Sequence, residues 1–239
     1  MTGESGGMNR TAILAFCVAS IATPALAAER TLSVTTFDRV RVDGPYKVKV
    51  ATGVSPFAKV SGSAAAIDGV SVDQQGRTLI VRANPSSWGG AYPGEGRGPV
   101  EVTVGTPDLS AVWVNGSGSL AVDRVKGLSF DLSVQGSGSA AIAGAAVDQL
   151  KIGISGAGSV AIAGTAPKLT VIVRGTSTLD ASALASKDVT VGAEGPSQVR
   201  VNASNTAKVD ARGVASVEVA GGAACTVKAE GSAVVTGCR

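Results

Sequence analysis

The 239-residue chain contains no histidine, which removes Ser-His and Cys-His nucleophiles, histidine metal sites and histidine acid–base catalysis together. Among the acid–base groups that remain are carboxylates, which glycan-cleaving enzymes use in clusters on one face. Here the acids are scattered or stand beside basic residues at regular spacing, so an enzyme of the polysaccharide lyase or hydrolase kind is the minority alternative. Glycine is abundant, at 32 residues, yet the glycine-rich stretches lack the aspartate that calcium-binding repeats place two residues after a glycine. Nothing in the chain calls for a cofactor or a metal. Of its three cysteines, Cys17 falls in a leader segment described below. Cys225 and Cys238 are left as an even pair, suited to a disulfide in an exported chain.

Two groups of residues suit binding better than catalysis. Arg39, Arg41, Lys47 and Lys49 fall on the polar sides of two alternating segments and would form a basic patch. The plainer reading is a solvated face with lysines guarding an edge strand. The stretch 84–99 is rich in glycine and proline and carries Trp88 and Tyr92. A long loop on a rigid scaffold is where exposed rings stack on sugars or contact protein partners; alternatively, Trp88 merely covers one open end of the core. With 21 basic and 18 acidic residues, the charge excess is too small to argue for nucleic acid or an anionic membrane surface. The expected partner is an unidentified protein or glycan of the cell envelope.

The elements that position these residues follow a leader. Residues 11–21 form an apolar run too short to span a bilayer, preceded by Arg10 and followed by Pro24 and the small-residue site Ala25-Leu26-Ala27. This is the pattern of a secretory signal peptide over 1–27, with Met8 a more usual start than Met1. Leu14-Ala15-Phe16-Cys17 comes within one residue of a lipid-attachment motif, but Phe16 stands where a small residue is needed. No later stretch is apolar enough to span a membrane, so the mature chain is expected in the periplasm or at the cell surface. Its first part, 28–107, reads as a β-strand unit. Residues 37–44 and 46–50 alternate apolar and polar across a Gly44-Pro45 bend, 70–73 and 78–82 flank a hairpin-like turn, and 100–104 is a further strand.

The second part, 108–239, is a repeat. Its first glycines, Gly116, Gly136, Gly156, Gly175, Gly195, Gly213 and Gly231, are spaced 20, 20, 19, 20, 18 and 18 residues apart. Apolar residues recur four and two positions before each glycine, and four and six after each of the first six. Each coil is thus two alternating strands about a glycine turn, with a return segment to the next coil. Stacked in parallel at about 4.8 Å, seven such coils predict a β-solenoid rod of roughly 30 Å, continuous with or packed on the strand unit as one domain. Outward columns support the register: Arg174, Glu194, Arg212 and Glu230 alternate in sign, as do Asp180, Arg200 and Glu218, which a parallel stack needs to avoid like-charge contact. Ala141, Ala143, Ala161 and Ala163 instead predict a flat uncharged face, either a contact surface for another chain or a glycan or, as the preferred expectation, a face covered by the N-terminal sheet. Cys225 and Cys238 would pin the end of the last coil to its own beginning.

The opening 37–50 segment, the Leu79-Ile80-Val81 strand and Gly116-Ser117-Gly118-Ser119 with its later copies resemble a bacterial family, the putative auto-transporter adhesin head GIN domain. The resemblance covers nearly all of the mature chain. It implies an all-β, solenoid-like domain on an exported protein, with no catalytic residue assigned. The turns from Gly175 onward lose the second glycine of the pattern, which predicts altered corners there. Sequence and resemblance together point to a non-catalytic binding, adhesin-like or structural module of the cell envelope.

Overall fold

The computed structural model describes residues 2–3, 28–85 and 98–238. One turn of the repeat shows how the sequence makes the fold. β8 (Ala111–Gly116) alternates, with Val112 and Val114 fully buried. Gly116 then takes a φ of 100°, a left-handed corner open to glycine at little cost, and the chain leaves along β9 (Ser119–Gly136) with Leu120 and Val122 inward. A second corner follows Val122, and a short third side buries Val125. β9 then returns beneath β8 in parallel register, Leu132 against Val112 and Val134 against Val114.

The stretch expected only to return the chain is therefore a strand with its own ladder, Val125 pairing Ala145 of β10 (Ser139–Gly156). Its apolar residues are too few and too widely set to show a period, which is why the sequence reads there as a connection. The winding continues in parallel through β11 (Ser159–Thr165), β12 (Lys168–Gly175), β13 (Thr178–Glu194) and β14 (Gln198–Gly213). It ends with β15 (Ser216–Ala220), β16 (Ala224–Gly231) and β17 (Val234–Thr236). The fold is an all-β parallel solenoid. Its core narrows along the axis: Phe130, Leu150, Leu169, Val189, Ala207 and Cys225 stand in register in one column, from large to small.

The N-terminal strands extend this stack instead of packing on its side, and they do so out of sequence order. β2 (Arg39–Asp43) lies between β6 (Thr78–Ala83) and β8, parallel to both. Across the Gly44-Pro45 corner, β3 (Lys47–Thr52) lies between β7 (Glu101–Thr106) and β9. Antiparallel strands close this end: β5 (Val70–Gln75) on β6, β4 (Phe57–Gly62) on β7, and β1 (Ala28–Leu32) on β4. The first side of the rod is then β5–β6–β2–β8 followed by β9, β10, β12, β13, β14 and β16, nine steps of about 4.8 Å or roughly 43 Å. A short helix, α1 (Ala64–Asp68), sits at the closed end with Ala66 and Ile67 buried and Ser63 accepting from the Ala66 N–H at its N-cap. The strand reading had no place for it, although a serine before three alanines is a helix start.

The other end is open. Val227 and Val234 are 43% and 55% exposed, and the Cys225–Cys238 disulfide, with a Cα–Cα separation of 5.6 Å, ties the last coil to its first strand. The later corners keep the left-handed first glycine, with φ of 93° at Gly175 and 78° at Gly231. Where the second glycine is lost, buried Ser177, Ser197 and Ala215 take its place, and the Ser177 hydroxyl donates to the Gly156 carbonyl at 3.0 Å.

Candidate functional site

Arg39 and Arg41 are outward positions of β2, Lys47 and Lys49 outward positions of β3. The two strands do not pair with each other; the Gly44-Pro45 corner sends them to different sides of the rod. The expected single basic patch is thus divided in two, and each half is partly offset by neighbouring carboxylates. Lys49 and Lys47 reach Glu101 at 2.7 and 3.1 Å, and these cations hold the Glu101 carboxyl below its usual range. Arg41 Nε donates to Asp43 Oδ1 at 2.9 Å, and Arg39 lies 3.9 Å from Asp38. Trp88 and Tyr92 lie outside the described residues.

The alanine face is exposed at Ala121, Ala141 and Ala161. The N-terminal strands do not cover it, because they lengthen the stack along its axis. The charge columns pair as expected at several steps: Arg174 with Glu194 at 3.6 Å, Arg200 with Asp180 at 4.0 Å and Glu218 at 3.5 Å, and Arg212 with Glu230 at 3.5 Å. Among the described residues no three His, Cys, Asp or Glu side chains gather as a metal site.

What the structure adds is a hollow on the first side, near its closed end. Period two turns Val112 and Val114 inward and so sends Trp113 outward, half-buried. The same register sets Arg41 beside it and Ile80 beyond Arg41. Arg41, Asp43, Trp113, Asn115, Gln135 and Gln75 surround an open cavity of about 620 Å³. Asp43 Oδ1 accepts from Arg41 Nε and, at 2.7 Å, from Asn115 Nδ2, which fixes three polar side chains along one wall. Among the described residues, the other Asp43 oxygen, the Trp113 indole N–H and both glutamine amides have no hydrogen-bond partner. Sequence reasoning passed over Trp113. Its signal was available: in the outward column where β8 carries tryptophan, the next coils carry Ser133 and Gly153.

Residues 36–223 match the profile of the family described as "Putative auto-transporter adhesin, head GIN domain". The chain belongs to this family. The match begins just before β2 and ends just before β16, so it takes in β2 to β15 and stops short of the last coil. Among solved structures, this head GIN chain is similar to one described as a putative adhesin from Bacteroides fragilis NCTC 9343. The TM-score is 0.74 at 17% identity, over 89% of this chain and 95% of that one. It is similar also to one described as a putative lipid binding protein from Parabacteroides distasonis ATCC 8503, with TM-score 0.66, 14% identity, and 87% and 95% of the two chains covered. A putative adhesin from the same Parabacteroides strain gives TM-score 0.60 at 16% identity over 89% and 95%. At such identities the likeness is one of fold. No curated protein sequence matches.

Proposed function

We propose that this protein is an exported, non-catalytic, adhesin-like module that binds a protein or glycan of the bacterial cell envelope. The observation that supports this reading is the Trp113 hollow, where an aromatic ring and unpaired polar groups converge on a rigid ladder. Rigid placement lowers the entropy that binding must overcome. The leader pattern over 1–27 supports export, and the family description supports adhesion. Among the described residues no helix is long and apolar enough to cross a membrane. The loop residues Trp88 and Tyr92, and Arg39, Lys47 and Lys49 on the adjoining strands, are proposed as secondary contacts.

The test uses the chain from Ala28 onward, labelled and titrated onto bacterial envelope fractions. Saturable retention with no release of reducing sugar is expected. Absence of retention overturns the binding reading, and sugar release would establish the enzyme alternative instead.

A further inference from the structure

We infer that the Trp113 hollow is a carbohydrate subsite that takes one uncharged pyranose residue of a glycan, with the ring stacked on the indole. This rests on the binding reading above and names the ligand class. A cavity of about 620 Å³ falls within the range of roughly 300–1,000 Å³ typical of small-molecule sites. A pyranose has one face of C–H bonds and a rim of hydroxyls. Trp113 offers the first a flat apolar surface, and its free indole N–H reaches the rim.

The polar groups of the hollow offer hydroxyls both acceptors and donors. Asp43 has one oxygen held by Arg41 and Asn115 at 2.9 and 2.7 Å, which leaves the other to accept from a hydroxyl. The Asn115 carbonyl accepts too, while the Arg41 terminal nitrogens donate and the Gln135 and Gln75 amides do either. Neighbouring hydroxyls are met by Asp43, Asn115 and Arg41, planar groups that hold one another in place, with the glutamine amides beside them.

Charge decides against other ligands. Arg41 and Asp43 are the charged side chains of the hollow, and they already neutralise each other. An anionic sugar, sulfate or phosphate would find Asp43 opposing it, and a single carboxylate is a poor cation site. An acyl chain or apolar peptide would bury these polar groups unpaired, which opposes its binding. Of the apolar wall, Ile80 is only 6% exposed, which leaves Trp113 as the accessible apolar surface.

The purified chain is presented with immobilised neutral oligosaccharides of gluco, galacto and manno configuration, and with sulfated and sialylated ones. The tightest binder is then titrated by calorimetry. Binding to a neutral member is expected, with W113A weakening it about tenfold or more, Q135A weakening it less, and W113F retaining part. Thermal unfolding of Q135A, whose side chain is exposed and makes no internal hydrogen bond, should match the parent, so its loss reports contact and not folding. Preference for the acidic members, or neutral binding unchanged in both W113A and Q135A, overturns the subsite while leaving the module a binder. Retention on envelope fractions that survives periodate oxidation of their glycans, together with no array binding, also overturns it. Failure of retention altogether would instead remove the binding reading on which it stands.

Discussion

At Gly136 the chain turns with φ of 104°, and a Cβ there would stand 2.7 Å from the carbonyl oxygen of Gly116 in the coil before. The corner therefore needs glycine twice, for its backbone angle and for the closeness of the next layer. Gly136→Ala combines a left-handed penalty of about 1–2 kcal/mol with a contact against backbone that cannot step aside. We expect a loss of about 3 kcal/mol or more in urea unfolding; a loss under about 0.5 kcal/mol, the size of an ordinary surface change, would contradict it. The Gly-Ser-Gly spacing in the sequence announces these corners plainly. Trp113 is less legible, because a single outward ring among inward valines changes no periodicity. Trp88 and Tyr92 drew attention only because a glycine- and proline-rich loop surrounds them. The division of the four basic residues was not legible, since Gly44-Pro45 reads as a bend whether the strands it joins are neighbours or lie on different sides.

A parallel in-register ladder brings one sequence column into contact with itself at every step, so an element's outer residues must suit their equivalents a coil away. Arg200 of β14 stands between Asp180 of β13 and Glu218 of β15, at 4.0 and 3.5 Å. Arg200→Glu would place three acids in a row. These side chains are about half exposed, so each pair contributes at most about 1 kcal/mol. The reversal should destabilise by roughly 1–2 kcal/mol, measured as a lower Tm at low ionic strength, with part of the loss recovered as added salt screens the column. A Tm unchanged by both substitution and salt would show that this column contributes nothing. Sign alternation was readable from sequence because it repeats at the coil period. The third side was not, because its few apolar residues are interrupted by glycines such as Gly144 and Gly164. α1, five residues long, closes the rod by burying Ile67 and leaves no periodic trace, only the serine before three alanines that marks its start.

At the scale of the whole molecule, several surface carboxylates are held below their usual pKa. Hydrogen bonding from Arg77 lowers Asp38, Lys49 and then Lys47 lower Glu101, Ser182 lowers Asp180, Thr206 lowers Asp188, and Lys228 lowers Glu230. Each contributes stability that is complete above the ordinary values of 3.8 for aspartate and 4.5 for glutamate and that fades as pH falls through the lower folded-state value. With no histidine in the chain and both late cysteines bonded, Tm is expected to be level from about pH 5 to 8 and to fall below about pH 4. Thermal scans across that range check it, and a decline already under way at about pH 6 would contradict the assignment. The solenoid class was readable from the repeat. The layering of its first strands was not, because β2 and β3 find partners in strands that come both before and after them along the axis. That insertion has a mechanical consequence. Drawn from its N-terminus, the chain releases β1 from a single partner and then meets β2, clamped between β6 and β8, so two ladders must rupture together. Drawn from its C-terminus, force bypasses β17 through the Cys238–Cys225 bond and enters at the head of β16, whose one coil-to-coil ladder, on β14, gives way alone. Tension would therefore unravel this rod from its tapered end while the closed end kept its shape.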